Sequence, residues 1–170
     1  MIDKFSAAQR QLDCAIRLFI DEEDSLSIHT LAFASFKVLY DLTKGEDIDL
    51  IIRKFGWKLA KIPNFLKHAD TDPHAILGYH GESYCMNTIG LATCLYFYQF
   101  KKRTPEMWAF HWHLKILHPE EFNLPKDADG GVEVLYKMGC TVIKSDNMVK
   151  KFLLRGLLEF AENHPEVLSR

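Results

Sequence analysis

The segment Asn64-Phe65-Leu66-Lys67-His68-Ala69-Asp70-Thr71-Asp72-Pro73-His74 holds the chain's densest set of side chains able to do chemistry. Asn64 and His68 are four residues apart, so a helix there would set both on one face. Imidazole changes charge near neutral pH, which makes His68 a candidate general acid or base with Asn64 as its polar neighbour. Lys67, Asp70 and Asp72 extend the candidate ligand-binding set. His68, Asp70 and His74 are weak candidate metal ligands. Imidazole and carboxylate suit zinc, iron or manganese, but the spacing matches no metal motif, so the expectation is no metal and no cofactor. A structural reading competes: Asp70 and Asp72 cap local turns, and His68 is bonded inside a bundle.

His29, in Ser27-Ile28-His29-Thr30, is the second candidate. Residues 27, 29 and 30 share no catalytic stripe, since only residues three or four apart share a helix face. A bundle could still bring His29 near His68, and a small polar ligand, a nucleotide or a protein partner is expected to bind there. His111, His113 and His118 form a third cluster. His111 and His113 point to different sides of one helix, and Trp108 and Trp112 read as a packing stripe, so this cluster is expected to be structural. Lys101-Lys102-Arg103 reads as cations at a helix C-terminus, where the helix dipole favours them. Asp127-Ala128-Asp129-Gly130-Gly131 lacks the remaining ligands of a calcium loop and reads as a turn. Glycine-rich phosphate loops, nucleophile elbows and metalloprotease helix motifs are missing from the sequence.

The elements that must position these residues read as helices throughout. Phe5, Ala8, Leu12, Ala15, Ile16 and Phe19 recur at three- and four-residue steps. The acidic turn Asp21–Asp24 follows, with Ser25 or Ser27 as a cap for a second helix to Leu42, and the short link implies an antiparallel hairpin. Gly45 breaks that helix. Asp47 caps a third through Leu59, and Pro63 interrupts the pattern before a short helix over 64–69. The segment 84–100 is apolar on most sides, as expected of the most buried helix. Thr104-Pro105-Glu106 is a sharp helix start: a capping hydroxyl, proline at the first helical position, then an acid. A short helix over 132–138 and a last helix from Met148 to about Asn163, stopped by Pro165, complete the order. With no hairpin signal and no alternating strand, the expectation is an all-α, single-domain helical bundle of about six or seven helices spanning residues 1–170.

The composition suits a chain with a real core: 170 residues, 48% hydrophobic and 26% charged. A formal charge of −2 excludes a dominant basic footprint, so nucleic acid is a disfavoured partner. Cys14, Cys85, Cys94 and Cys140 show no CxxC spacing and read as buried reduced thiols. The longest apolar stretch, 89–100, falls short of the roughly 20 residues a bilayer requires. Without a basic and apolar leader at the N-terminus, the expected location is cytoplasmic.

Three pieces of the first half resemble a group of small bacterial helical proteins to which no activity is attached. They are Gln11-Leu-Asp-Cys-Ala-Ile16 with Leu18-Phe19, Ser27-Ile-His29-Thr30-Leu31-Ala32, and Asn64-Phe-Leu-Lys-His68-Ala-Asp70 with Asp72-Pro73. More distantly, Asn64 and His68 are similar to the motif of the HEPN superfamily, in which an Arg, then a polar residue, precedes a His by a turn or so. The Arg position falls on Pro63 here, and Lys61 is the nearest cation. The resemblance implies a small helical domain, often a homodimer, and many members are metal-independent ribonucleases. Proline cannot hold phosphate charge bidentately as arginine does. Binding near His29 and His68 is therefore the leading expectation, and the alternative is a HEPN-like ribonuclease or a metal-dependent hydrolase centred on His68.

Overall fold

The first helix, α1 (Lys4–Ile20), shows why this chain folds as it does. Its periodic positions Ala8, Leu12, Ala15, Ile16 and Ile20 are all buried, while Arg10, Cys14 and Arg17 face outward. Asp3 caps it, its carboxylate accepting the backbone N–H of Ser6 at 2.7 Å, and that bond holds the Asp3 carboxyl below the usual carboxylate range. The computed structural model describes residues 1–43, 59–68, 70–78, 82–117 and 147–169.

All regular structure among the described residues is helical. After α1 come α2 (Ser25–Leu42), α3 (Lys61–Lys67), α4 (Glu82–Phe100), α5 (Pro105–Leu117) and α6 (Asn147–Asn163), then a 3₁₀ turn, Pro165–Ser169. The fold is thus all-α, as the periodicity implied. The residues group into two compact units, Met1–Lys102 and Arg103–Arg170. The third helix expected over 48–59, except for Leu59, the turn at 127–131 and the helix expected over 132–138 lie outside the described residues.

In the first unit, α2 packs against α1, α3 and α4, and α1 also meets α4. The α1–α2 corner is closed by backbone bonds from Glu22 to the Phe19 carbonyl, 3.2 Å, and from Glu23 to the Leu18 carbonyl, 3.0 Å. This pair of bonds is the Schellman arrangement that ends many helices, and it requires a left-handed residue at its corner. Glu22 fills that position at φ 58°, where glycine would be free of the Cβ clash. Glu22→Gly is expected to raise stability by up to about 1 kcal/mol, read as a higher urea midpoint. An unchanged or lower midpoint would mean that glycine's extra unfolded-state freedom offsets the relief.

Two boundaries differ from the sequence expectation, each for a physical reason. Asp24, rather than Ser25 or Ser27, caps α2: its carboxylate accepts from both the backbone N–H and the hydroxyl of Ser27, each at 2.8 Å. An ionised carboxylate is the stronger acceptor for orphan N–H groups at the positive end of a helix. Helix α3 begins at Lys61, before Pro63 rather than after it. Pro63 lies in the first turn, where a residue has no intrahelical acceptor to lose, so the ring is tolerated.

The segment 84–100 is helical as expected, within α4, but it is not buried on all sides. Ile89, Ala92 and Leu95 are fully enclosed, while Ser83, Asn87 and Cys94 face solvent. Tyr96 hydrogen-bonds across to Gln9 on α1 at 2.8 Å. The cysteines are corrected in the same way. Among the described residues, Cys14 and Cys94 are exposed and Cys85 is a buried thiol, its Sγ 3.3 Å from the Ser25 carbonyl. An apolar neighbourhood in sequence does not fix which side of a helix a residue takes. Cys140 lies outside the described residues.

The second unit pairs α5 with α6. Thr104 caps α5 as its sequence implied, its hydroxyl accepting from the backbone N–H of Met107 at 3.2 Å. Met107, Trp108, Ala109, Phe110 and Ile116 are buried in α5, and Leu154, Leu157 and Ala161 in α6. No described helix is long and apolar enough to cross a membrane.

Candidate functional site

Helix α3 and the turn after it carry the residues singled out from sequence. The backbone N–H of His68 donates to the Asn64 carbonyl at 3.1 Å, so the two residues stand one turn apart on one face. His68 is the C-cap, and its own carbonyl is heavily used. It accepts from the backbone N–H groups of Thr71 at 3.1 Å and Asp72 at 3.0 Å, and from the Thr71 hydroxyl at 3.0 Å. Those bonds fold the chain sharply after α3, and the Asp72 carbonyl continues the turn by accepting from Ala75 at 3.2 Å.

Asn64, Lys67, His68, Asp70, Asp72 and His74 are all exposed. Two apolar side chains lie exposed among them, Leu66 at 42% and Ile76 at 94%. Among the described residues no group of three or more His, Cys, Asp or Glu side chains could hold a metal ion, so His68, Asp70 and His74 do not converge as a ligand set.

His29 occupies a different environment. It is 0% exposed on α2, and its ring stacks on that of Phe33, one turn on, at 6.2 Å and 11°. His29 is thus enclosed in the core of the first unit, whereas the side chains of the α3 turn are exposed. A reaction that used His29 and His68 together would need the first opened to solvent.

The second unit contains a cluster that the sequence reading set aside. Arg103 lies just before the Thr104 cap, its backbone N–H donating to the Leu168 carbonyl at 2.7 Å. His111 and Lys115, one turn apart on α5, are half-buried, as is Arg103. Lys115 Nζ stands 4.4 Å from the centre of the Trp112 ring, a cation–π contact. Burial, first, and then the charges of Arg103 and Lys115 push His111 down to about 3. Burial and the charge of Arg103 likewise push Lys115 below the ordinary lysine range. His113, two residues along, is buried at 1% exposure beside Phe110, a different surrounding from that of His111. One signal was available in the sequence: Arg103, His111 and Lys115 are the basic side chains that flank the Trp108–Trp112 stripe. Arg103 also belongs to the run Lys101-Lys102-Arg103, which reads as a helix-end cation cluster.

Fold and geometry together define an all-α protein with an exposed polar turn on one unit and a half-buried basic cluster on the other. No protein-family model, curated protein or solved structure matches the chain.

Proposed function

We propose that this chain is a protein-recognition domain whose contact surface is formed by the described residues between Asn64 and Ile76. The observation that carries the reading is the exposure of Leu66 and Ile76 among Asn64, Lys67, His68, Asp70 and Asp72. Small-molecule sites are concave and bury most of their ligand. Protein contact surfaces instead set a few apolar anchors within a polar rim, and this segment has both parts. The charges are of mixed sign, Lys67 against Asp70 and Asp72, so a partner must present its own charges in matching order. A second copy of the chain meets that condition, since a symmetric contact can set Lys67 of each copy against an aspartate of the other. His29, being buried, stays out of the contact.

Light scattering of the purified chain tests this, with a dimer expected for the wild type. Ile76→Ser combined with His68→Ala weakens self-association by about tenfold or more, the loss of one interface anchor. Its melting temperature stays close to that of the wild type, because both side chains are exposed. A wild-type monomer with no partner crosslinked from position 67 in the source cell would sink the reading. An RNA-cleavage assay on wild type and His68→Ala covers the enzymatic alternative: cleavage that disappears with His68 would replace recognition by ribonuclease chemistry.

A further inference from the structure

We propose that Thr71 is a phosphorylation site that regulates the surface between Asn64 and Ile76, an inference that rests on that surface being a recognition site. The Thr71 hydroxyl holds the turn after α3 closed. Its Oγ1 donates to the His68 carbonyl at 3.0 Å, and the backbone N–H groups of Thr71 and Asp72 donate to the same oxygen at 3.1 and 3.0 Å. Three donors on one carbonyl fix the direction in which the chain leaves α3. They thereby fix the spacing between Leu66, before the turn, and Ile76, after it.

Thr71 is also set apart from the other hydroxyls. Ser25, Ser27, Thr30 and Ser83 are exposed but lie within α2 or α4, and Ser169 lies within the 3₁₀ turn. Among the described residues Thr71 is the exposed hydroxyl outside any helical element. A modifying enzyme must seat the hydroxyl in its own active site, and a turn presents it without unwinding a helix. Asp70 and Asp72 flank Thr71 in sequence, so the enzyme is a kinase with a basic substrate groove. In the transfer, Oγ1 bonds the γ-phosphorus of a nucleoside triphosphate. The bond from that phosphorus to the bridging oxygen breaks, the nucleoside diphosphate leaves, and the hydroxyl proton passes to the kinase's base.

The transfer removes what closes the turn. A phosphorylated Oγ1 has no hydrogen to donate, so its bond to the His68 carbonyl is lost. The group brings roughly two negative charges to a position between two carboxylates. Lys67 is the one permanent cation among the exposed side chains of this surface. Like-charge repulsion therefore opens the turn and blocks self-association. The free monomer, in which Thr71 is exposed, is the form the kinase meets.

Mass spectrometry of the chain isolated from its own cells, growing and starved, is expected to find phosphate on Thr71. The full chain produced with phosphothreonine at position 71 is then compared with wild type by amide exchange and light scattering. The amides of Thr71 and Asp72 are expected to exchange about tenfold faster, and self-association to weaken by about tenfold or more. Thr71→Val, which removes the donor and adds no charge, should speed exchange less. An unmodified Thr71, or a sugar in place of phosphate, overturns the assignment, and unchanged exchange in the phosphorylated chain overturns the switch. A wild-type monomer whose phosphorylated form still exchanges faster would sink the recognition surface and support the Thr71 device without it.

Discussion

Trp108→Ala is expected to cost about 3–5 kcal/mol, the range for removing a fully buried large aromatic side chain. Trp108 is 1% exposed and is the largest side chain in the core of the second unit. Its indole packs against Phe160 of α6 at 5.7 Å and against Trp112 at 5.8 Å. Truncation loses the transfer free energy of the indole and leaves a cavity that two packed helices can only partly close. A core of this size rarely supplies more than about 3–5 kcal/mol in total. The substitution is therefore expected to strip protection from the backbone amides of α5 and α6. Hydrogen exchange read residue by residue checks this, and Trp108→Phe, which keeps a ring in place, is expected to lose much less. Full protection of α5 and α6 in Trp108→Ala would mean that the unit's core lies elsewhere.

The second large effect concerns pH and follows from His111. Its folded pKa, about 3, lies below the ordinary value of 6.5, so between those values the unfolded chain binds a proton that the folded chain refuses. Stability linked to His111 is therefore complete above the unfolded value and is lost as pH falls toward the folded one. Within that window the slope is about 1.4 kcal/mol per pH unit, which makes the loss at pH 5 roughly 2 kcal/mol. Asp3 and Asp24 do not confuse the measurement. Hydrogen bonds from Ser6 and Ser27 hold both carboxyls below 3.8, so their contribution is present above that value and fades only below it. Urea midpoints at pH 7 and pH 5 give the comparison, with His111→Gln as the variant that removes the titration. The pH-dependent loss should be smaller in the variant by about the stated amount. Equal losses in both proteins would show that His111 takes its proton as readily folded as unfolded.

Most of the helical framework can be read from residue spacing. The stripe Ala8, Leu12, Ala15, Ile16 is buried as its periodicity requires, and Thr104-Pro105-Glu106 begins α5 by the capping chemistry its residue types imply. The misreadings share one cause. Proline disrupts helix interiors, so Pro63 reads as a break, but in a first turn its missing N–H costs nothing. The apolar neighbours of Cys14 and Cys94 imply burial, and yet each falls on the outward side of its helix. In both cases the residue type was informative only once its position within the helix was known.

The candidate sites divide in the same way. The relation between Asn64 and His68 is local, one turn of backbone, and the sequence alone determined it. Local capping also explains the fold of the turn through Thr71 and Asp72. The burial of His29, the exposure of Leu66 and Ile76, and the gathering of Arg103, His111 and Lys115 are not local. Each depends on which side of a helix meets another helix. A helical period specifies that an apolar face exists and which residues line it. Only tertiary packing decides what that face is pressed against, and hence which polar side chains are enclosed, which are left in water, and which are brought within reach of one another's charge.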